Sequence, residues 1–319
     1  MELNLKKEFS FLAGFAELIG SEVINGVLAI PENKGKGYLR GFRLDNSISM
    51  IVSNYEFNED LLAKRFGSEN SLKRILFSFN SIFPDTNSTI KNANNDLPSI
   101  QVFKGKLNIE TFYPNRTKFK SIVIGIDSDI LAKFLGSNGE NAIFKKIIGS
   151  EQPILFEESV SPKIQEVALE IIESDVPDTL ADFFFKIKAE ELICLTLKEL
   201  LKREKPTLHV LNEIDVEKIY KARDAILNEI HVPPVIRNLA SQIGMSESKF
   251  KRLFKQIFGN SFFSYYQKFR MKEAARLLKE NKMSVSEVGY ALGFSNLSHF
   301  TKVFEEHNGI KPKAFQKNG

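Results

Sequence analysis

A short pattern of small residues occurs twice in the last third of the chain, and it constrains the fold more than any other feature. Residues 235–258 contain Ala240, Gly244 and Ser246 in the order that two helices joined by a tight turn require. A small residue lets the two helices cross, glycine adopts the left-handed turn between them, and serine caps the second helix. The segment is therefore predicted to form a helix-turn-helix unit.

The same arrangement returns in residues 284–307, where Gly289, Gly293 and a capping Ser295 occupy the equivalent positions. Between the two segments, residues 262–279 show the spacing of one long amphipathic helix. One such pattern arises by chance in many helical proteins, whereas two in a single basic region are far more specific. The sequence thus predicts two helix-turn-helix units joined by a long helix.

Helical phasing separates the buried side of each second helix from its exposed side. In the first unit, the positions predicted to face inward are Phe250, Leu253, Phe254 and Ile257. The exposed positions are Ser248, Lys251, Arg252 and Lys255 in the first unit and Asn296, Ser298, His299 and Lys302 in the second. Polar donors of this kind suit the base edges in the major groove of DNA.

Charge is distributed unevenly along the chain. The whole sequence contains 44 basic and 40 acidic residues, a net charge of +4. Residues 1–205 contain 26 basic and 29 acidic side chains, whereas residues 235–319 contain 15 basic and 6 acidic side chains. The strongly basic region favours a polyanionic partner, and the near-neutral region favours a separate task. A basic surface that meets only solvent is the alternative explanation.

The first part of the chain is predicted to be rich in β-structure. Between residues 20 and 126, β-type runs are separated by turn residues, with strands expected at 22–30, 38–44, 47–55 and within 100–126, and with a turn at 114–116. These runs favour an antiparallel sandwich or a small barrel. A surface loop is expected at 84–98, because this segment is rich in Asn, Asp, Ser and Pro.

Helical patterning follows over residues 129–204. Ser161 and Pro162 begin a helix that places these apolar residues on one face: Ile164, Val167, Ala168, Ile171 and Ile172. The next helix, predicted over 178–204, has a broader apolar surface than one sheet requires. It is either enclosed within its domain or partly turned toward a second subunit, so it is a candidate homodimer surface. Cys194, the single cysteine, is predicted to be a buried structural thiol of this helix.

The fold class predicted from these patterns is α+β, with a β-rich domain that also contains helices followed by an all-α domain. Residues 1–205 are expected to form an effector-binding or dimerisation domain, residues 206–214 a linker, and residues 215–319 a DNA-binding domain that begins with a helix over 215–230. Two domains fit a chain of 319 residues, since a domain usually has about 100–200.

Several classes of function lack the residues that they need. All four histidines lie beyond residue 208, so a metal-dependent enzyme in the β-rich region has no imidazole ligand. Neither G-x-S-x-G nor a phosphate-binding glycine loop occurs, so we expect no catalytic residue, no cofactor and no enzymatic activity. The single cysteine favours a reducing cytoplasm, and no apolar run is long enough to predict a membrane span.

Residues 217–317 resemble the C-terminal DNA-binding domain of AraC/XylS-type transcription regulators. The resemblance rests on LASQIGMSESKFKRLFKQIFGNSFFSYYQKFRM, EAARLLK, SVSEVGYALGFSNLSHFTKVFEEHNGIKP and Phe315. It implies seven helices whose two helix-turn-helix units enter successive major grooves of double-stranded DNA. It also implies that RNA polymerase is a partner, and that the N-terminal domain is a cupin-like barrel that binds a small-molecule effector or a second subunit.

Positions matched to that family assign the individual DNA contacts. The residues implied to face bases are Ser248, Lys251 and Arg252 in the first unit and Ser298 and Lys302 in the second, flanked by Asn296 and His299. The residues expected to contact phosphates are Lys249, Lys255 and Lys272. Gly289 stands where the family usually has alanine, which should loosen its helix by up to about 1 kcal/mol. The second recognition helix is expected to bind more weakly because Glu305 and Glu306 follow Lys302.

An RNA-binding or protein-interaction module without sequence-specific DNA readout is the alternative function. RNA-binding proteins often stack bases on exposed aromatic side chains. Here the aromatic residues of the two second helices are predicted to face inward: Phe250, Phe254, Phe300 and Phe304. The sequence therefore favours a regulator of transcription that binds duplex DNA.

Overall fold

The protein is described by a computed structural model that covers residues 1–5, 11–45, 47–65, 72–81, 98–106, 109–136, 141–203, 209–280 and 282–318. The chain divides into two compact units, Met1–Glu213 and Ile214–Gly319. Separate hydrophobic clusters form the cores of the two units. The predicted α+β class is confirmed, with a β-rich first part and an all-α second part.

The strands of the first unit, in chain order, are β1 (Glu2–Leu5), β2 (Val23–Ile24), β3 (Val27–Ala29), β4 (Gly35–Arg43), β5 (Ile48–Phe57), β6 (Leu61–Arg65), β7 (Arg74–Asn80), β8 (Ser99–Lys104), β9 (Ile109–Tyr113), β10 (Lys118–Asp127) and β11 (Ile154–Ser159). Eight of them form one antiparallel sheet in the order β11-β8-β7-β10-β5-β4-β3-β2. Its central pair, β5 and β10, is in register from Ile48 opposite Ile126 to Glu56 opposite Lys118. Ile48, Met50 and Val52 alternate inward along β5, as a half-buried strand requires.

A second sheet contains three strands in the order β1-β6-β9. Strand β1 runs parallel to β6, whereas every other strand pair in the described residues is antiparallel. The sequence did not predict β1, β6, β7 or β11. Strand β7 lacks simple alternation because Arg74, Ile75, Leu76 and Phe77 are all buried. The cupin-like barrel stays a prediction, and the predicted loop at 84–98 lies outside the described residues except for Pro98.

The helices of the first unit are α1 (Phe11–Ile19), α2 (Ser128–Leu135), α3 (Ala142–Gly149), α4 (Pro162–Ile172) and α5 (Asp178–Leu200). The predicted start of α4 is confirmed, since Ser161 Oγ accepts the N–H of Ile164. Apolar residues of α4 and α5 join those of the large sheet in one cluster. The predicted helix over 178–204 ends at Leu200, and beyond it Arg203 donates to the Glu157 carbonyl oxygen at 2.8 Å and pairs with Glu158.

Helix α5 buries only part of its apolar surface in the described structure. Leu192, Ile193, Leu197 and Leu200 are buried, as the broad pattern predicted, whereas Phe183 is 68% exposed and Ile187 is 45% exposed. The prediction of a buried thiol is wrong, because Cys194 is exposed. Cys194 follows Ile187 by two helical turns and therefore shares its solvent-facing side.

The second unit contains seven helices among its described residues, as the family resemblance implied. They are α6 (Glu213–Asn228), α7 (Ile236–Gln242), α8 (Glu247–Phe258), α9 (Phe262–Lys279), α10 (Val285–Ala291), α11 (Leu297–Asn308) and α12 (Pro312–Asn318). Helix α6 begins two residues before the predicted Asp215. Of the proposed linker 206–214, residues 206–208 lie outside the described part of the chain.

Helix α9 forms the centre of the second unit. Its N-terminal Phe262 packs against Phe250 and Phe254 of α8, with ring centroids 5.3 and 5.2 Å apart. Its C-terminal half contributes Met271, Ala274 and Leu278 to a core shared with α10 and α11. The long helix thus joins both pairs of helices, as the sequence predicted. No helix in the described residues is long and apolar enough to cross a membrane.

Candidate nucleic-acid interface

Helices α7 and α8 form the first predicted helix-turn-helix unit. Ala240 is 1% exposed and lies in α7. Gly244 has a φ of 60°, which provides the left-handed turn between the helices. Ser246 then begins α8, and its Oγ accepts the Lys249 N–H at 3.4 Å. These three residues occupy the structural positions that their spacing predicted.

The two sides of α8 differ as helical phasing predicted. The residues of its inner side are all buried: Phe250, Leu253, Phe254 and Ile257. The residues of its outer side are all exposed: Ser248, Lys251, Arg252 and Lys255. One face of α8 therefore presents hydroxyl, ammonium and guanidinium donors to the surroundings, while the other is part of the core.

Acidic neighbours distinguish the cations of α8 from one another. Lys249 Nζ lies 2.7 Å from Oδ1 of Asp215, a residue of α6 whose side chain is only 8% exposed. Lys251 Nζ lies 3.3 Å from Glu247 Oε2, and both side chains are exposed. Arg252 has no hydrogen bond or ion pair with any described residue. The pairing of Lys249 was missed because Asp215 is remote in sequence, and the phosphate contact of Lys249 stays a prediction.

Helices α10 and α11 form the second unit. Helix α10 begins with a reciprocal cap, in which the Ser284 N–H donates to Glu287 Oε2 at 2.7 Å and the Glu287 N–H donates to Ser284 Oγ at 3.3 Å. The hydrogen bond from the Ser284 backbone, followed by that with its side chain, lowers the pKa of Glu287. The negative charge of Glu287 is thereby held at the helix N-terminus, where the helix dipole favours it.

The predicted cap of α11 is wrong by one residue. Asn296, not Ser295, begins the helix, because Asn296 Oδ1 accepts the N–H groups of Ser298 and His299 at 2.9 and 3.1 Å. The exposed residues at the start and along the outer side of α11 are those predicted from phasing: Asn296, Ser298, His299 and Lys302. The oxygen of Asn296 is engaged in the cap, so its amide N–H groups are the donors left for a ligand. Lys302 has no ion pair in the described part of the chain.

A buried arginine on α9 holds the turn of the second unit. Arg270 is 5% exposed, and its Nε donates to the Leu292 carbonyl oxygen at 3.1 Å, while its Nη1 donates to Gln267 Oε1 at 3.0 Å. Its guanidinium carbon lies 3.9 Å from the centre of the Phe294 ring. Burial lowers the pKa of Arg270, and Tyr266 opposes that shift. The sequence signal for this role was the position of Arg270 on the same helical face as Tyr266 and Ala274.

The same turn also lies against the segment between α6 and α7. Tyr266 Oη donates to the Ile230 carbonyl oxygen at 2.8 Å, which fixes this segment on α9. Gly293 has a φ of 78°, and a Cβ at this position would lie 2.0 Å from the carbonyl oxygen of His231. Gly293 therefore provides both a left-handed turn and a close backbone approach.

Lys272, the remaining predicted phosphate contact, is exposed on α9. The described residues contain no group of three or more His, Cys, Asp or Glu side chains that could hold a metal ion. The exposed faces of α8 and α11 present mainly hydrogen-bond donors. Two such helix pairs joined by one long helix define a double helix-turn-helix protein, a class in which the second helix of each pair enters the major groove.

The model of the family described as helix-turn-helix domain matches residues 239–318. Regulatory protein PchR of Pseudomonas aeruginosa is 33% identical over 123 residues, which cover 38% of this chain and 42% of PchR. Probable transcription factor PqrA of Proteus vulgaris is 34% identical over 84 residues, which cover 26% of this chain and 69% of PqrA. The match thus spans less than half the length of PchR. The chain belongs to the AraC/XylS-type family of transcription regulators.

Among solved structures, a transcriptional regulator from Chromobacterium violaceum with an AraC-type DNA-binding domain is similar to part of the chain. It is 29% identical, with a TM-score of 0.31, and the match covers 32% of this chain and 92% of that one.

Proposed function

We propose that this protein regulates transcription by binding specific sequences of double-stranded DNA. The observation that carries the proposal is the exposed face of α8, where Ser248, Lys251 and Arg252 extend from a helix whose other side is fully packed. A guanidinium group can donate two hydrogen bonds to O6 and N7 of guanine, and a lysine donates to the same acceptors. Arg252 is the strongest candidate for this role because no described acid neutralises it.

Helix α11 supplies the second contact of the proposed complex. Ser298 and Lys302 would face bases in the neighbouring major groove, about one turn or roughly 34 Å along the DNA, with Asn296 and His299 beside them. The exposed lysines outside these base-facing sets would contact phosphates, which position the protein without reading sequence: Lys255 and Lys272, with Lys249 at the edge of the surface. RNA polymerase would then be the partner through which binding affects transcription.

Duplex DNA is favoured over single-stranded RNA by the burial of the aromatic residues. Phe250, Phe254, Phe300 and Phe304 are each 0% exposed, so none of them can stack on a base. The exposed aromatic residues Phe263 and Tyr290 lie on α9 and α10 rather than on the two helices that carry the donors. The RNA-binding alternative therefore lacks an exposed Phe, Tyr or Trp platform among the described residues of α8 and α11.

Selection from a pool of random duplexes tests this function directly. The full chain would be incubated with the pool at about 50 and 200 mM salt, and the bound DNA sequenced. We expect an enriched motif, lost when Lys251 and Arg252 are both replaced by alanine but retained in Lys163→Ala, a change of an exposed lysine on α4. Salt-sensitive binding without enrichment would contradict the proposal, because phosphate contacts alone give that result.

The first unit is proposed to form a homodimer through α5. Four of its exposed apolar residues follow at intervals of three, four and seven residues along one side of the helix: Leu180, Phe183, Ile187 and Cys194. Leu201, 45% exposed, continues this side just beyond α5. Packing this stripe against a second copy would remove its apolar surface from water.

Sedimentation velocity of the full chain tests the dimer. We expect Phe183→Glu to convert dimers to monomers, while Lys163→Glu leaves them intact. A wild-type chain that remains monomeric at all concentrations would contradict the proposal.

The remaining part of the proposed function is that the β-rich unit, Met1–Glu213, binds a small-molecule effector. Effector binding would change the affinity for DNA by favouring one of two states of the protein. The protein would act in the cytoplasm and would catalyse no reaction. A chain that is monomeric, and that regulates its target identically after removal of residues 1–205, would contradict both tasks proposed for the first unit.

A further inference from the structure

Helix α8 begins with an acidic residue on the side that the proposed function turns toward DNA. Glu247 is the first residue of α8, and Lys251 follows one turn later. Glu247 Oε2 lies 3.3 Å from Lys251 Nζ, and the two side chains are 44% and 55% exposed. The helix therefore presents a hydrogen-bond acceptor beside a donor, close to the residues predicted to reach base edges.

The helix dipole favours a carboxylate at the start of α8, but it gives no reason for the pairing with Lys251. An exposed ion pair one helical turn apart adds at most a few tenths of a kcal/mol, and many add nothing measurable. A carboxylate brought close to the DNA surface is also repelled by phosphates. The repulsion is offset only where the carboxylate accepts a hydrogen bond from a base.

The bases that could supply this hydrogen bond differ in their arrangement of donors and acceptors. In the major groove, a C·G pair presents the N4–H donor of cytosine at one end and the two acceptors of guanine, O6 and N7, after it. In an A·T pair, the N6–H donor of adenine lies between two acceptors, thymine O4 and adenine N7. A carboxylate at N6 therefore has an acceptor on both sides, whereas one at N4 has acceptors on one side alone.

The spacing of the side-chain pair matches that of the C·G edge. Cytosine N4 and guanine O6 are hydrogen-bonded to each other, so they lie about 3 Å apart. The carboxylate oxygen and the ammonium nitrogen of the protein lie 3.3 Å apart. Both hydrogen bonds could therefore form without separating the ion pair.

We propose that Glu247 and Lys251 together recognise one C·G base pair. Glu247 accepts from cytosine N4, and Lys251 donates to O6 or N7 of the paired guanine. This inference rests on the proposed contact of α8 with DNA. It makes Glu247 a specificity-determining residue, in addition to the cationic residues of the helix.

Selection from random duplexes with the full chain tests the inference through Glu247→Ala, Glu247→Gln and Lys251→Ala. We expect Glu247→Ala to reduce the preference for one C·G position about tenfold, and Lys251→Ala to weaken the preference at that same position. Glu247→Gln should move the preference there toward adenine, because an amide can pair with both N6 and N7 of adenine. Glu306→Gln removes the same charge from α11 and should leave this position unchanged.

Far-ultraviolet circular dichroism of each variant checks that the helices remain folded. An unchanged motif in Glu247→Ala, with higher affinity for all sequences alike, would overturn the inference by showing that Glu247 only repels phosphates. Loss of preference at different positions in the Glu247 and Lys251 variants would also overturn it. A wild-type chain that enriches no motif would overturn the DNA-binding proposal itself, which separates the two failures.

Discussion

The two helix-turn-helix units have the same turn glycine but different surroundings. A Cβ at Gly244 would meet only Lys218 Nζ at 3.4 Å, whereas one at Gly293 would lie 2.0 Å from the carbonyl oxygen of His231. The second turn is further held by Arg270, which donates to the Leu292 carbonyl oxygen. The first turn is held by a hydrogen bond from Lys218 Nζ to the Gly244 carbonyl oxygen at 3.1 Å, whereas the second is packed against α9 and the segment after α6.

The recognition helices, α8 and α11, differ in their number of basic side chains, and α8 has more of them. Helix α8 contains four basic side chains, Lys249, Lys251, Arg252 and Lys255, whereas Lys302 is the one lysine or arginine of α11 and is followed by two glutamates. The first helix-turn-helix unit, formed by α7 and α8, is therefore better suited to bind a polyanion. The second, formed by α10 and α11, is more firmly integrated into the core. The shared local pattern determines the turn in both units. Contacts with distant residues determine how firmly each turn is packed.

The largest effect is expected from replacing the packed turn glycine. Gly293→Ala should lower the free energy of unfolding by about 3 kcal/mol, because it adds a backbone clash to the cost of a left-handed alanine. Gly244→Ala meets no clash and should cost about 1 kcal/mol. Urea denaturation followed by circular dichroism measures both. Equal losses would show that the two turns are packed alike.

A second contrast concerns the exposed cations of α8 and α11. Arg252→Ala should weaken specific DNA binding by about 1–3 kcal/mol and relax one base position. Lys302→Ala should have a smaller effect, and Lys255→Ala should weaken binding to all sequences alike. Titration of the selected duplex and of random duplexes gives the required affinities. Equal losses on both duplexes for Arg252→Ala would contradict its base contact.

Lys249 and Lys255 of α8 should differ in how much each contributes to the free energy of unfolding. Lys249→Ala leaves the buried carboxylate of Asp215 without its ammonium partner and should cost about 1–2 kcal/mol of stability, less than a fully buried pair because Lys249 is partly exposed. Lys255 is exposed, so Lys255→Ala should cost less stability than Lys249→Ala. The comparison requires unfolding curves and affinities of both variants. Unchanged stability of Lys249→Ala would contradict a structural role for its pair with Asp215.

The smallest effect is expected at the glycine where the family usually has alanine. The sequence predicts that Gly289 loosens α10, so alanine should gain up to about 1 kcal/mol from helix propensity. A Cβ there, however, would lie 2.8 Å from Leu297 Cδ2 and 3.2 Å from Phe300 Cδ1. We expect Gly289→Ala to lose about 0.5 kcal/mol overall, since overpacking outweighs propensity. Thermal unfolding decides the sign, and a net gain would show that the Leu297 side chain moves aside freely.

Much of the helical unit, Ile214–Gly319, could be predicted because its sequence signals are local. The turn glycines, the Ser246 cap and the inward aromatic residues follow from spacing within a few turns of helix. The cap of α11 was misplaced by one residue, because an asparagine side chain reaches the helix amides as well as a serine does. The pairing of Lys249 with Asp215 and the hydrogen bond from Arg270 to the Leu292 carbonyl oxygen join residues far apart in sequence, so spacing could not reveal these partners.

The β-rich unit, Met1–Glu213, was less predictable for the same reason. Runs of β-type residues between turns predicted β4 and β5, but β7, where consecutive residues are buried, was missed. The parallel pairing of β1 with β6 depends on partners about sixty residues apart, which no local pattern specifies. Cys194 was placed in the correct helix but on the wrong side, because α5 is apolar around most of its circumference.

Hydroxyl-radical footprinting of the full chain on its selected duplex tests the central claim, that both units read DNA with unequal strength. The account predicts two protected segments about one helical turn apart. Arg252→Ala should remove the stronger protection and Lys302→Ala should reduce the weaker one. A single protected segment, unaffected by Lys302→Ala, would contradict a role for the second helix-turn-helix unit in DNA binding.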